Sequence, residues 1–275
     1  MKPLEGIRVL NLAVNLPGPA AARRLHLMGA DVTKVEPPAG DPMESYHPLW
    51  YRDMAEGQTL VRLDLKTDGG RGHLDALLAE TDLLISASRP AAMERLGLGW
   101  ELLHHTHPRL CQVAITGFPP PRENEAGHDL TYQASLGLVS PPQMPRTLIA
   151  DMAGAAQAVN ASLALLLYRE RNNVAGYAEV PLSEAVAAMA EPLRYGITAE
   201  GATLGGGIPE YNIYRASEGW VAVAALETHF KKRLESELRV SNIEQYRAAF
   251  ADRTAAQWQE WGQEKDIPIV AVKEW

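Results

Sequence analysis

The chain has 275 residues, which is enough for one large domain, or for a domain with a smaller appendage. Its formal net charge of −8 argues against a nucleic-acid surface, so an anionic ligand would need a local cluster of Arg or Lys. The composition, 46% hydrophobic and 22% charged, is typical of a soluble globular protein, and the single cysteine, Cys111, excludes an intramolecular disulfide and any cysteine-built metal site.

The N-terminal residues 1–6 lack the apolar core of a signal peptide. We find no apolar run long enough to cross a membrane, since the nearest one, 161–168, is far too short. We therefore expect a cytoplasmic protein with no membrane partner.

Segments with strand patterns alternate with segments with helix patterns along the first half of the chain. The predicted strands are 7–12, 31–36, 60–65, 83–86 and 110–116, and the predicted helices are 20–28, 70–80, 91–96 and 100–106. Strand, helix and strand with short joints make βαβ units, which build parallel sheets. The sequence therefore predicts an open, doubly wound α/β domain, in which ligands bind beyond the carboxyl ends of the strands.

Two connecting segments in this first half bear on function. The joint after the first strand lacks the pattern G-x-G-x-x-G, so a dinucleotide ligand is poorly supported. The stretch 37–58 is irregular and rich in Pro, Gly and aromatic residues, and its length predicts a functional loop or an excursion over the surface.

The second half begins with a long apolar helix and ends in a smaller α+β region. A helix over 154–170 is predicted to lie deep against the sheet, a strand follows at 177–181, and Ser183 is predicted to cap the next helix. The Gly-rich stretch 201–207 is the predicted boundary between two domains, 1–200 and 201–275. The predicted elements of the second domain are a hairpin of 211–215 and 220–225, helices 227–238, 242–251 and 254–265, and a strand 267–272.

The stretch 126–154 carries the two residues most suited to proton transfer. His128 and Asp151 are each predicted to lie where a loop enters a helix, and the free N–H groups of a helix N-terminus stabilise anions such as an enolate. A His and an Asp facing each other there would suit proton transfer near carbon. From spacing alone, ordinary helix caps or surface residues are the more frequent explanation, because the pair forms no fixed short motif.

A series of segments in fixed order carries a family resemblance. They are Gly6-Ile7-Arg8-Val9-Leu10, residues 29–36, Gly40-Asp41-Pro42, Leu63-Asp64-Leu65-Lys66, Arg89-Pro90, Arg95-Leu96-Gly97-Leu98 and Ile115-Thr116-Gly117-Phe118. With them the chain resembles the CoA-transferases of family III, a group that includes formyl-CoA transferase, carnitine CoA-transferase and α-methylacyl-CoA racemase. The resemblance is strongest to the racemase branch.

The resemblance implies a Rossmann-like fold, a CoA thioester as substrate and no prosthetic group. In the family's transferases an Asp attacks the thioester as a nucleophile, and Asp151 stands at that position. In the racemases the same Asp pairs with a His, which His128 matches, and a Glu that supports this His is matched by Glu227. The catalytic residues implied by the resemblance are therefore His128, Asp151 and Glu227.

The CoA-binding residues that we predict are Arg89, Lys34, Ala126 and Gly127, and no metal site is predicted. Arg89 resembles the family Arg that meets CoA, and the planar fork of an Arg side chain suits phosphate recognition.

Two departures from the family bear on assembly and on CoA binding. Family members are usually longer and end with a segment that returns to the first domain, so we expect a homodimer that is less interlocked than theirs. Their basic run before the third strand is replaced here by residues 54–58, which removes one expected contact to the CoA phosphates.

Three functions are open at this point. The first is a racemase or epimerase that acts by 1,1-proton transfer at the α-carbon of a 2-methylacyl-CoA or similar thioester, and His128 with Glu227 favours it. The second is a CoA-transferase that uses Asp151 as its nucleophile. The third is a CoA-binding protein without turnover, which the departures from the family favour.

Overall fold

The computed structural model describes residues 1–274, which form two compact units. The first unit is Met1–Met189, and the second begins at Ala190. The Gly-rich stretch that we predicted as the domain boundary forms a π-type turn, Thr203–Gly207, inside the second unit.

A parallel sheet of six strands forms the centre of the first unit in the described part of the chain. Its strands are β1 (Arg8–Asn11), β2 (Asp31–Glu36), β3 (Thr59–Arg62), β4 (Leu83–Ser86), β5 (Cys111–Thr116) and β6 (Tyr177–Pro181). The spatial order is β3-β2-β1-β4-β5-β6, so the chain winds outward in one direction from β1 and in the other from β4. This order confirms the predicted open, doubly wound α/β fold.

Helices cover both faces of this sheet. They are α1 (Pro17–Leu27), α2 (Pro42–Tyr46), α3 (Pro48–Ala55), α4 (Asp68–Leu78), α5 (Pro90–Arg95), α6 (Trp100–Thr106), α7 (Asp129–Ser135), α8 (Ile149–Asn172) and α9 (Leu182–Met189). Because side chains alternate along a strand, Val9 and Ile85 enter a core with α1 and α8, whereas Leu10 and Leu84 enter a second core with α4 and α6. The sheet therefore separates two apolar cores.

Helix α8 is, among the described helices, the one that is long and apolar enough to cross a membrane by length and composition. The sequence prediction that no segment reaches this length was wrong, because the helix begins at Ile149 and continues through isolated polar residues to Asn172. Helix α8 packs against α1 and β5, as expected of the core helix of an α/β unit.

Three local predictions were wrong, two of them because of proline. The stretch 37–58 contains two helices rather than a loop, and Pro42 and Pro48 stand in their first turns, where a missing N–H costs nothing. Helix α1 likewise begins at Pro17 instead of residue 20. Ser183 lies inside α9 and does not cap it, since α9 begins at Leu182 directly after β6.

A buried charged cluster connects β2 to the start of α2. Lys34 is 2% exposed, and its ammonium lies 3.0 Å from Glu36 and 2.5 Å from Asp41, which are 1% and 2% exposed. Asp41 also accepts hydrogen bonds from the backbone N–H groups of Asn15 and Met43, each at 2.9 Å. The cluster is therefore fully paired, which is what burial of charges requires.

The second unit contains a small antiparallel sheet with helices, as predicted. Its elements are the strands β7 (Tyr211–Arg215), β8 (Trp220–Ala224) and β9 (Ile269–Ala271), and the helices α10 (Glu191–Arg194), α11 (Thr228–Leu238), α12 (Ile243–Phe250) and α13 (Ala255–Glu264). Its core is aromatic, with Tyr214 stacked on Phe250 at 4.9 Å and Phe250 edge-on to Trp258 at 4.9 Å.

Asp41→Ala should lower the free energy of unfolding by about 3–5 kcal/mol, because it leaves a buried ammonium with one partner and two backbone N–H groups without theirs. Glu80→Ala is the matched control, since the Glu80–Arg8 pair is exposed and contributes about 1 kcal/mol or less. Urea denaturation of both variants measures the difference. Equal losses in the two variants would contradict the stabilising role of the cluster.

Candidate active site

A cavity of about 550 Å³ opens at the carboxyl ends of β1, β4 and β5. It is lined by residues 12–17 after β1, by Ala87–Arg89 after β4, and by the last two residues of β5 with Gly117. The sheet changes winding direction between β1 and β4, and in open α/β sheets ligands bind in the crevice that this change creates. The cavity therefore lies where the sequence analysis placed the ligand.

His128 and Asp151 both line this cavity. His128 is the residue before α7, where its backbone N–H donates to Thr131 Oγ1 at 3.1 Å. Asp151 lies in the first turn of α8. Both residues thus stand at helix starts, as predicted, and the fold brings them to one site, whereas their catalytic roles stay predictions.

Asp129 connects the two helix starts. This residue is 4% exposed, and its Oδ1 accepts the N–H groups of Ala150 at 2.7 Å and Asp151 at 3.1 Å. Its Oδ2 accepts Gln133 Nε2 at 2.5 Å, and the same amide nitrogen donates to the Thr147 carbonyl at 3.0 Å. The expectation that the N–H groups beside Asp151 stabilise an enolate was therefore wrong, because the carboxylate of Asp129 already occupies them.

The carboxyl group of Asp151 has an unusual proton affinity. Burial and, to a smaller extent, the negative charge of Asp129 together raise its pKa to about 6. A carboxyl group with a pKa near neutrality exchanges protons readily in both directions at physiological pH. Asp151 is thus suited to act both as a base and, once protonated, as an acid.

Tyr132 is a site residue that the sequence analysis missed. It lines the cavity, and a Cβ atom added at Gly117 or at Gly127 would lie 2.5 Å from its hydroxyl oxygen, so both glycines are needed beside it. Burial and the charge of Asp151 raise the pKa of the Tyr132 hydroxyl, which therefore remains a proton donor. Its position four residues after His128, on one face of α7, is the sequence signal that could have found it.

Three of the four predicted CoA-binding residues lie at the cavity. Ala126 and Gly127 line it, and so does Arg89, whose exposed guanidinium has no ion pair within residues 1–274. Lys34 does not line it, since its ammonium is buried between Glu36 and Asp41. The predicted contact of Lys34 with CoA therefore finds no support in the geometry.

Glu227 belongs to the second unit. It is exposed and precedes the first residue of α11, and its side chain makes no capping hydrogen bond there. Its role as the partner of His128 stays a prediction.

The comparisons with known proteins agree with this fold. The family model of CoA-transferase family III matches residues 4–275. The chain is 30% identical over 248 residues to a succinyl-CoA–D-citramalate CoA-transferase of Chloroflexus aurantiacus, which covers 82% of the chain and 62% of that enzyme. It is 28% identical over 288 residues to the human alpha-methylacyl-CoA racemase, which covers 93% of the chain and 74% of the racemase.

A solved structure also shares this fold. The crystal structure of a hypothetical protein from Mycobacterium tuberculosis superposes with a TM-score of 0.86 at 26% identity, covering 100% of this chain and 85% of that one. The chain belongs to CoA-transferase family III, as its sequence resemblance indicated. It spans less than two thirds of the length of the Chloroflexus enzyme.

Asp151→Asn should stabilise the protein at high pH and not at low pH. Because the folded-state pKa of Asp151 lies above its ordinary value, the stability that Asp151 contributes is present at low pH and is lost as the pH rises through about 6. The variant should therefore gain about 1–3 kcal/mol relative to the wild type on going from about pH 4 to about pH 8. Urea denaturation at both pH values measures this, with the exposed Asp53→Asn as control. An equal effect of Asp151→Asn at both pH values would contradict the raised pKa.

Asp129→Asn should lower the pKa of Asp151, because it removes a neighbouring negative charge while its amide oxygen still accepts the two N–H groups of α8. The side-chain carboxyl ¹³C shift of Asp151, assigned with Asp151→Asn, measures the titration. Asp53→Asn again serves as the control and should leave the titration unchanged. A higher pKa for Asp151 in Asp129→Asn would overturn the coupling.

Proposed function

We propose that the protein is an acyl-CoA racemase or epimerase that transfers a proton at the α-carbon of a 2-methylacyl-CoA or similar thioester. The observation that carries the proposal is that two groups able to transfer protons, the imidazole of His128 and the carboxyl group of Asp151 with its pKa of about 6, line one cavity. A racemisation needs one such group on each face of the reacting carbon.

The proposed reaction proceeds through an enolate. One group removes the α-proton, and the C–H electron pair moves into the thioester, which places negative charge on its carbonyl oxygen. The other group, carrying a proton, then donates it to the opposite face, and the electron pair returns to form the new C–H bond. Between turnovers the His128–Asp151 pair thus holds one proton. Which of the two residues carries this proton depends on the direction of the preceding reaction.

The developing charge on the oxygen requires a hydrogen-bond donor. Since Asp129 occupies the N–H groups of Ala150 and Asp151, we assign this role to the hydroxyl of Tyr132, which borders the same cavity. Arg89 at the cavity rim is suited to hold a CoA phosphate, because its exposed guanidinium has no other ion pair among the described residues.

A CoA-transferase is the second candidate, and the relatives favour it, because the Chloroflexus enzyme at 30% identity carries that name. In this reaction the carboxylate of Asp151 would attack the thioester carbonyl and expel CoA as a thiolate, which leaves a mixed anhydride. The thiolate would then attack the aspartyl carbonyl, releasing the first acid and forming an aspartyl-CoA thioester. The raised pKa of Asp151 is compatible with this role, whereas His128 has no necessary part in it.

Incubation with a chiral 2-methylacyl-CoA in deuterated water separates the two candidates. A racemase should invert the α-carbon and introduce deuterium there, and both His128→Ala and Asp151→Asn should lower inversion by about 10²–10⁴-fold. His105→Ala, at an exposed position on α6, is the matched control for the first variant, and Asp53→Asn for the second. Chiral chromatography with mass spectrometry provides the measurement.

Hydroxylamine trapping tests the second candidate, the CoA-transferase. A transferase would leave a hydroxamate at Asp151 when acyl-CoA and hydroxylamine are present together. It would also keep most of its transfer activity in His128→Ala. That hydroxamate, found without deuterium in the acyl chain, would overturn the racemase in favour of the transferase.

A further inference from the structure

A second cavity, of about 410 Å³, lies on the opposite face of the sheet from α8. Its floor is formed by the side chains of β4, β5 and β6 that point away from the α8 core, and α5 and α6 with the turn between them form its wall. Neither His128 nor Asp151 lines it, and Ser88 is the residue that it shares with the first cavity.

Two buried polar atoms on this floor lack a hydrogen-bond partner. Ser86 and Gln112 are 1% and 2% exposed, and neither Ser86 Oγ nor Gln112 Oε1 has a partner within residues 1–274. The amide of Gln112 is oriented, because its Nε2 donates to the Leu98 carbonyl at 3.4 Å and leaves Oε1 as the free acceptor. Such buried groups cost stability unless a hydrogen-bond partner satisfies them.

The charge of this cavity is negative. Glu179 lies on the floor, where one carboxylate oxygen accepts the hydroxyl of Tyr177 at 2.8 Å, and Glu94 and Glu101 stand on the wall. Of the described residues that line the cavity, none is Lys, Arg or His. A cation with N–H donors is therefore favoured over a ligand with phosphate or carboxylate groups.

The wall of the cavity is held in a fixed shape. The guanidinium of Arg71 donates to the carbonyl oxygens of Leu96 and Gly97 in the turn between α5 and α6. Trp100 stacks on Tyr177, with ring centroids 5.7 Å apart, and so connects α6 to the floor. The acceptors are thus preorganised, which lowers the entropic cost of binding.

We propose that this second cavity is a binding site for a small organic cation that carries an alkylguanidinium group. The planar fork of a guanidinium presents several N–H donors, and the acceptors proposed for them are Ser86 Oγ, Gln112 Oε1 and the Glu179 carboxylate, which belong to residues that line this one cavity. The alkyl chain contacts the apolar side chains of Met93 and Leu102. The anionic CoA thioester of the first cavity and this cation are chemically distinct ligands.

Calorimetric titration with n-butylguanidinium tests the site directly and requires no turnover. The wild type should bind it saturably, bind the uncharged n-butylurea about tenfold or more weakly, and not bind pentanoate. Glu179→Gln should weaken binding of butylguanidinium about ten- to a hundredfold, because it removes the charge and keeps an acceptor for Tyr177. Ser86→Ala should weaken it about two- to tenfold.

Glu170→Gln is the matched control, because Glu170 is an exposed carboxylate on α8 that does not line the cavity, and it should leave the affinity unchanged. Thermal melting confirms that each variant is folded. Absence of saturable binding at millimolar butylguanidinium would overturn the proposal. So would unchanged affinity in folded Glu179→Gln, or binding of pentanoate as tight as that of the cation. A failure of the racemase proposal would leave all of these results unaffected.

Discussion

The carboxylate of Asp129 is the interaction on which the active-site geometry depends. It begins α7 and at the same time binds the first N–H groups of α8, so the starts of two helices that are distant in sequence are fixed to one anion. His128 precedes Asp129, and Asp151 follows Ala150. Each of the two site residues is therefore next in the chain to a residue that forms this hydrogen-bonded connection. Replacing an N-terminal cap typically costs a helix about 1 kcal/mol, but here the same bond also sets the charge that Asp151 experiences.

A second buried carboxylate supports the opposite wall of the cavity. Asp41 receives the ammonium of Lys34 and the N–H of Asn15, whose backbone adopts the left-handed conformation with a φ of 66°. Such a conformation is costly for a residue other than Gly and persists where surrounding contacts hold it. Asn15 and Met43 both line the cavity. The buried Lys34–Asp41 pair therefore positions the segment after β1, because Asp41 accepts the backbone N–H groups of both residues.

The two cavities of the first unit differ in the charged groups that line them. The first lies at the point where the sheet reverses its winding, and Arg89 and His128 line it together with the carboxyl groups of Glu123, Glu125 and Asp151. The second lies on the other face, where carboxylates and unsatisfied polar atoms line it and none of its described lining residues is Lys, Arg or His. The two cavities share Ser88.

Much of the fold could be predicted because it follows from local patterns of apolar and turn-forming residues. Buried strands such as Cys111–Thr116 are continuous apolar runs between turn residues, and their alternation with helices determines a parallel, doubly wound sheet. The prolines at 42 and 48 were read as loop signals, although Pro is equally favoured in the first turn of a helix. The boundaries of α1, α2 and α3 therefore came only from the structure.

The sequence by itself determined which residues have the right chemistry for the site, and the tertiary structure decided which of them meet. His128, Asp151 and Arg89 could be named from their residue types, their predicted helix starts and the family resemblance, and they line one cavity. The sequence did not show that Lys34 is paired with a buried carboxylate. It also did not show that Asp129 accepts hydrogen bonds from the N–H groups at the start of α8. Both depend on atoms that are far apart along the chain and approach within hydrogen-bonding distance only after the sheet and helices have packed, because hydrogen bonds are sensitive to fractions of an ångström and sequence patterns are not.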